Sequence, residues 1–228
     1  IDITGATVGG KLQLSFVYNH LAFQKESIEK LIEVFTSNLL LIITHCTSQS
    51  TPELTPSDLG YAGLSIEEWD TIRTFVLSEL ETNEISKLYP LSPMQEGMLF
   101  HANLDTNTSM YVEQYSLPIS GHMDLSKMEQ AFNSIIQRYD VLRSIFVQKD
   151  LTRPLQVVLN ERKATVHFED ISALAQEDRV NYTEDFKQQD KERGFKLSSD
   201  RLIRLAILQT AAEEYLMILS FHHILTNG

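Results

Sequence analysis

The 228 residues are enough for one large domain or two small ones, and 43% hydrophobic with 22% charged residues is the balance of a folded chain. The 31 Asp and Glu against 19 Lys and Arg give a formal net charge of -12, which argues against nucleic acid as a partner, because phosphate recognition wants a basic surface. The lone cysteine, Cys46, allows no internal disulfide, and the longest apolar run, Leu39 to Ile43, is too short to cross a bilayer. These features predict a soluble, acidic, cytoplasmic protein with no membrane partner. The opening Ile1-Asp2-Ile3-Thr4-Gly5 is neither a signal peptide nor an initiator methionine, as expected of a piece of something longer.

Lys11 to Asn19 alternates with period two and reads as a half-buried strand, entered from a Gly9-Gly10 turn. From Glu26 to Cys46 the apolar spacing becomes helical, with Leu40 and Leu41 predicting last turns buried nearly all round. Thr47 to Gly63 is rich in Ser, Thr, Pro and Gly, the chemistry of a linker. Ser65-Ile66-Glu67-Glu68 is a capping box that opens a short amphipathic helix with the stripe Ile66, Trp69, Ile72, Val76 and Leu80. A boundary is placed near Asn83.

Ser92-Pro93-Met94-Gln95 again has the grammar of a helix start, with Met94 and Met98 reading as core packing at i,i+4. Tyr111 to Ile119 alternates like a strand and ends at Gly121. Leu125 to Tyr139 is an amphipathic helix that Ser126 and Glu129 are able to cap. Three short strands are predicted at residues 144–148, 155–159 and 165–169, then a polar helix over roughly 173–193. Two apolar strands, 202–209 and 215–221, close the chain around an Ala-Ala-Glu-Glu turn. The order is mixed, so the fold class is α+β or α/β.

The chain ends Phe221-His222-His223-Ile224-Leu225-Thr226-Asn227-Gly228. Neighbouring strand residues face opposite sides, so only one of the two histidines points into a given cleft. Two readings stay open on spacing alone: one catalytic imidazole with a structural neighbour, or two core histidines satisfied by backbone. No third ligand stands nearby in sequence, so no metal site is expected.

HHILTNG resembles the HHxxxDG signature of the condensation-domain superfamily of nonribosomal peptide synthetases, which are related in fold to chloramphenicol acetyltransferase. Tyr89 to His101, with its PLSPMQEGMLFH wording, is similar to the first core motif of these domains, in the subtype that accepts a D-configured donor. Arg138-Tyr139-Asp140-Val141-Leu142-Arg143 resembles the second motif, RHExLR. Ile1 to Asp58 resembles the C-terminal end of an epimerization domain. The implied architecture is an epimerization tail over 1–64, a linker helix over 65–86, and the N-terminal lobe of a condensation domain over 87–228. That lobe is a mixed sheet with flanking helices, and the tail a partial strand-helix piece of a related domain.

The resemblance implies peptide-bond formation between carrier-bound thioesters, in a tunnel between this lobe and a second, C-terminal one. It implies His223 as the catalytic residue, acting as general base or as an orienting and charge-stabilising group. His222, Asn227, Gly228, Arg138 and Arg143 would support the motif, and Ser92, Gln95, Gly97 and His101 are candidates to line the tunnel. Ser92 reads better as a helix cap than as a nucleophile, and His101 equally as a helix-end histidine satisfying carbonyls. No cofactor is bound directly; phosphopantetheine belongs to upstream and downstream carrier domains, with an adenylation domain adjacent. Asn227 departs from the family's aspartate, which pairs with the arginine matched here by Arg138. An unpaired buried arginine costs roughly 3–5 kcal/mol, so Asn227 counts against a rigid loop. The rivals are a catalytically silent platform that docks carriers and another acyltransferase with an HHxxxD histidine.

Overall fold

The computed structural model describes residues 1–48, 54–82, 84–104 and 109–226. The chain divides into two compact units, residues 1–53 and 54–228.

In the first unit β1 (Asp2–Val8) pairs antiparallel with β2 (Lys11–Val17), Val8 opposite Lys11. The two residues between them, Gly9 and Gly10, have φ of +57° and +76°, the left-handed pair that a two-residue hairpin turn of matching twist requires. Helix α1 spans Lys25–Ser48. Its Leu40, Leu41 and Ile42 are exposed, against the expectation of burial all round. A two-stranded hairpin offers too little surface to cover a 24-residue helix, and Ile28 is the one buried residue on it. By length and composition α1 is also apolar enough to cross a membrane, which the short contiguous run Leu39–Ile43 did not reveal.

The second unit begins with a loop tied by Asp58, whose carboxylate accepts from the Thr55 N–H and hydroxyl. Helix α2 (Ile66–Leu80) then starts on the expected capping box: the Ser65 hydroxyl accepts from the Glu68 N–H, and the Glu68 carboxylate accepts from the Ser65 N–H. Trp69, Ile72 and Val76 are buried, whereas Ile66 is exposed. They pack on a three-stranded sheet of order β3-β6-β5, built from β3 (Ile85–Pro90), β5 (Ser144–Val147) and β6 (Leu155–Leu159). The helix expected to be a linker is therefore one layer of a core. Its apolar stripe had no visible partner in sequence, because β3 carries no clear alternation.

A second sheet has the order β4-β9-β8-β7, from β4 (Val112–Ser120), β7 (His167–Asp170), β8 (Ile203–Ala211) and β9 (Glu214–His222). Only β7 and β8 run parallel. Pro118 sits within β4, tolerated because that strand is at the sheet edge. One face packs with residues of α3 (Pro93–Leu104) and α4 (Leu125–Arg138), including Met98, Leu99, Phe132 and Ile136. Met94, expected in the core, is exposed. The N-cap of α4 is Asp124, which accepts from the Lys127 N–H, while Glu129 accepts from the Val166 N–H and braces the loop before β7. On the opposite face α5 (Gln176–Arg193) lays Tyr182 and Phe186 over Ala206, Leu208 and Ile218. Arg204 anchors its end, 2.8 Å from Asp190.

Ile72 is fully buried between α2 and the β3-β6-β5 sheet. Ile72→Ala is expected to cost about 2–5 kcal/mol in urea unfolding. Fluorescence of Trp69, in the same cluster, follows it. A loss below about 0.5 kcal/mol, the level of a neutral surface change, would return α2 to the role of a loose connector.

Candidate active site

Strand β9 delivers the histidines. It lies between β4 and β8, with His222 opposite Val112 in register. The His222 N–H donates to the Leu202 carbonyl (3.0 Å) and the His223 N–H to the Tyr111 carbonyl (2.8 Å). The chain then turns in a single 3-10 helix, His223–Leu225. Gln95 fixes this turn from α3. It is buried, its Oε1 accepts from the Ser92 N–H, and its Nε2 donates to the Ile224 carbonyl (3.3 Å). The Ser92 hydroxyl in turn accepts from the Gln95 N–H, so Ser92 is a helix cap here.

The two histidines have opposite surroundings. His222 is 2% exposed, between the rings of Tyr111 and Phe195 at centroid separations of 6.0 and 6.4 Å. Its Nδ1 accepts from the Ile224 N–H (3.1 Å), which places its one ring proton on Nε2. Burial pushes its pKa down to about 4, with repulsion from His223 adding to the effect. His222 is thus a neutral core residue. The His223 ring is 40% exposed, its Nδ1 lying 3.7 Å from Glu113 Oε1 and 3.3 Å from Thr226 Oγ1. Glu113 follows Val112 on β4, so the strand pairing that seats His222 also brings this carboxylate beside His223.

A cleft of about 560 Å³ is lined by Leu99, His101, Phe146, Phe195, Lys196 and His222 among others. His101 also holds the Tyr111 hydroxyl at 2.7 Å through Nδ1. Gly97 is exposed, and a Cβ built on it would meet nothing within 4 Å. The two arginines of the second motif separate sharply. Arg138 is exposed and stacks on Tyr139, its guanidinium 5.7 Å from the ring centroid. Arg143 is buried: it donates to the Leu159 and Asn160 carbonyls and pairs with Asp140 at 2.6 Å. The penalty expected for a buried Arg138 without a counter-charge does not arise at an exposed side chain. Asn227 and Gly228 lie outside the described residues. Among the described residues no three His, Cys, Asp or Glu are grouped to hold a metal ion.

Glu113, Tyr111 and Thr226 had no role in the sequence reading. Glu113 and His223 are far apart along the chain, and only the β4–β9 register joins them.

Comparison with known families decides the ancestry of this turn. The condensation-domain family matches residues 85–228. The chain belongs to that family. A mycosubtilin synthase polypeptide of Bacillus subtilis is 37% identical over all 228 residues, and bacitracin synthase 1 of Bacillus licheniformis 31% over the same span. The chain spans only 9% and 4% of those two proteins. Gramicidin S synthase 2 of Brevibacillus brevis is 45% identical over 152 residues, 67% of this chain and 3% of that one. Among solved structures, a mutant starter condensation domain of rhizomide synthetase superposes with a TM-score of 0.55 at 20% identity, covering 68% of this chain and 33% of that one. A holo four-domain nonribosomal peptide synthetase bound to AMP and glycine gives the same TM-score and identity over 62% of this chain and 10% of that one. The likeness is one of fold, and it agrees with the mixed α/β class read from the sequence.

The depressed pKa of His222 makes this condensation-domain fold acid-sensitive. Its folded value lies below the ordinary 6.5, so the unfolded chain takes up the proton first. The associated stability is complete above 6.5 and is lost as pH falls through about 4. The expected slope in that window from this one residue is up to about 1.4 kcal/mol per pH unit. His222→Asn retains an acceptor for the Ile224 N–H without a titrating ring and should flatten the slope. Denaturation curves that fall equally steeply in parent and variant would assign the proton to another group.

Proposed function

We propose that the chain is a segment of a nonribosomal peptide synthetase and that residues 85–228 contribute the histidine-bearing lobe of an amide-forming condensation domain. The observation that carries this reading is His223, held at the end of β9 with its ring half-exposed and a carboxylate at Nδ1, inside the HHILTNG stretch. The acceptor α-amine, carried on a downstream phosphopantetheine arm, attacks the carbonyl carbon of the upstream donor thioester. The C–N bond forms, the C–S bond breaks, and the amine proton passes by way of His223 Nε2 to the departing thiolate. His223 serves as base or as an aligning group along that path. The cofactor belongs to the carriers, and the chain binds none of its own.

The upstream and downstream carriers, a second lobe and a neighbouring adenylation domain are the partners this reading requires. Residues 1–64 are assigned to the tail of an epimerization domain, although the structural division at 53/54 joins 54–64 to the condensation side. Supporting the assignment, the mycosubtilin and bacitracin relatives align across both units and not just the second. As the tail of a larger domain, α1 is a packing helix and not a membrane anchor, which returns the chain to the cytoplasm. The donor is D-configured, on the strength of the PLSPMQEGMLFH wording and that upstream neighbour.

Two measurements on the intact synthetase test the reading. His223→Ala should lower condensation between loaded carriers by about 10²-fold or more, the usual scale of a lost acid–base or aligning group. Full activity in that variant would end the catalytic assignment. With epimerization disabled, a D-loaded donor should condense faster than its L counterpart. Equal rates would remove the subtype and leave the family untouched. If the parent condenses nothing, the carrier-docking platform is the reading that survives.

A further inference from the structure

We propose that Glu113 and Thr226 are positioning residues that fix His223 as its Nδ1–H tautomer and so place the imidazole lone pair on Nε2. The argument is a count of protons. The Thr226 hydroxyl donates its single hydrogen to the His223 carbonyl, at 2.9 Å. Towards His223 Nδ1, 3.3 Å away, that oxygen is left to act as an acceptor. A second group beside Nδ1 is the Glu113 carboxylate, 3.7 Å away, and an ionised carboxylate has nothing to donate. The hydroxyl oxygen, within hydrogen-bond reach, accepts from Nδ1, and the carboxylate, beyond that reach, favours a proton there by its charge. A neutral imidazole has one, so Nε2 keeps the lone pair.

The adjacent ring is fixed the other way. His222 Nδ1 accepts from the Ile224 N–H and its proton sits on Nε2. Two neighbouring histidines on one turn are thus held in opposite tautomers by backbone and side-chain partners that the β4–β9 pairing and the turn after it supply. Free histidine prefers the Nε2–H form, so the state of His223 is one that the surroundings impose. The tautomer stands on geometry alone; its catalytic value rests on the reading of His223 given above. A ring locked with Nε2–H could not take a proton from the attacking amine through that nitrogen.

Ring ¹⁵N spectra of the 228-residue chain, labelled at histidine and recorded at about pH 9, well above the ordinary range of a free imidazole, test the assignment without any turnover. His222 is expected as Nε2–H and His223 as Nδ1–H. In the double variant Glu113→Ala/Thr226→Val, His223 should move towards Nε2–H while an unmoved His222 signal certifies the fold. An Nε2–H signal for His223 in the parent, or an unchanged one in the double variant, overturns the proposal. In the intact synthetase, Thr226→Val should lower kcat by about tenfold with KM for both loaded carriers unchanged, less than the roughly 10⁴-fold that a wrong tautomer costs a catalytic triad, because Glu113 stays beside Nδ1. Thr226→Ser, which retains the hydroxyl, should recover most of that rate. Equal rates for Val and Ser would overturn the catalytic consequence. Full activity of His223→Ala would instead defeat the functional reading and leave the spectroscopic result standing.

Discussion

Strand β9 has a partner on each side, β4 and β8, and the histidine turn inherits its geometry from that double pairing. The sheet sets the position of His222 through Leu202 on one side and that of His223 through Tyr111 on the other. Neither bond depends on the histidine side chains, so the backbone is in place before any ring chemistry is asked of it. Tyr111 holds φ of +66°, a left-handed conformation that costs a non-glycine residue about 1 kcal/mol or more. Two bonds hold it there: its carbonyl accepts from His223, and its hydroxyl meets His101. The strained residue is thus bonded directly to the backbone of His223.

A second polar hub lies at the other sheet. The Asp140 carboxylate binds Arg143 through Oδ1 and Lys87 through Oδ2, both at 2.6 Å. Arg143 also caps the carbonyls at the end of β6. One buried guanidinium therefore joins the 3-10 turn Asp140–Arg143, the last residues of β6 and, through Asp140, strand β3. Removing it would take a donor from the buried Leu159 carbonyl, whereas the Asn160 carbonyl keeps Gln137 and the Asp140 carboxylate keeps Lys87. The motif that contains it acts on the sheet scaffold. Its first arginine, Arg138, is out in solvent on α4.

Most helices of the second unit were legible because their start signals are local. The capping boxes at Ser65 and Ser92 involve residues three apart, and both form. Strand β3 was not legible, since Ile85–Pro90 carries a lysine, a serine and a proline and becomes a strand only by pairing with β6. The same limit applied to α2. Its stripe was plain, but the sheet beneath it comes from residues up to Leu159. At the site, the histidine pair was legible as a motif and the opposite burial of its two rings as strand alternation. The carboxylate was not, because Glu113 meets His223 only through strand register. Arg138 was misjudged because sequence gives no burial for a charged residue at the end of an amphipathic helix.

The adjacency of the two histidines has an electrostatic consequence. A proton arriving at this turn has two imidazoles to choose from, one buried among aromatic rings and one beside a carboxylate. Desolvation closes the first, and each charge placed on His223 closes it further. The aromatic enclosure of His222 therefore does more than fill the core: it keeps that ring neutral beside its exposed neighbour. Here the strand register that buries one ring and presents the next gives the exposed histidine a neutral neighbour.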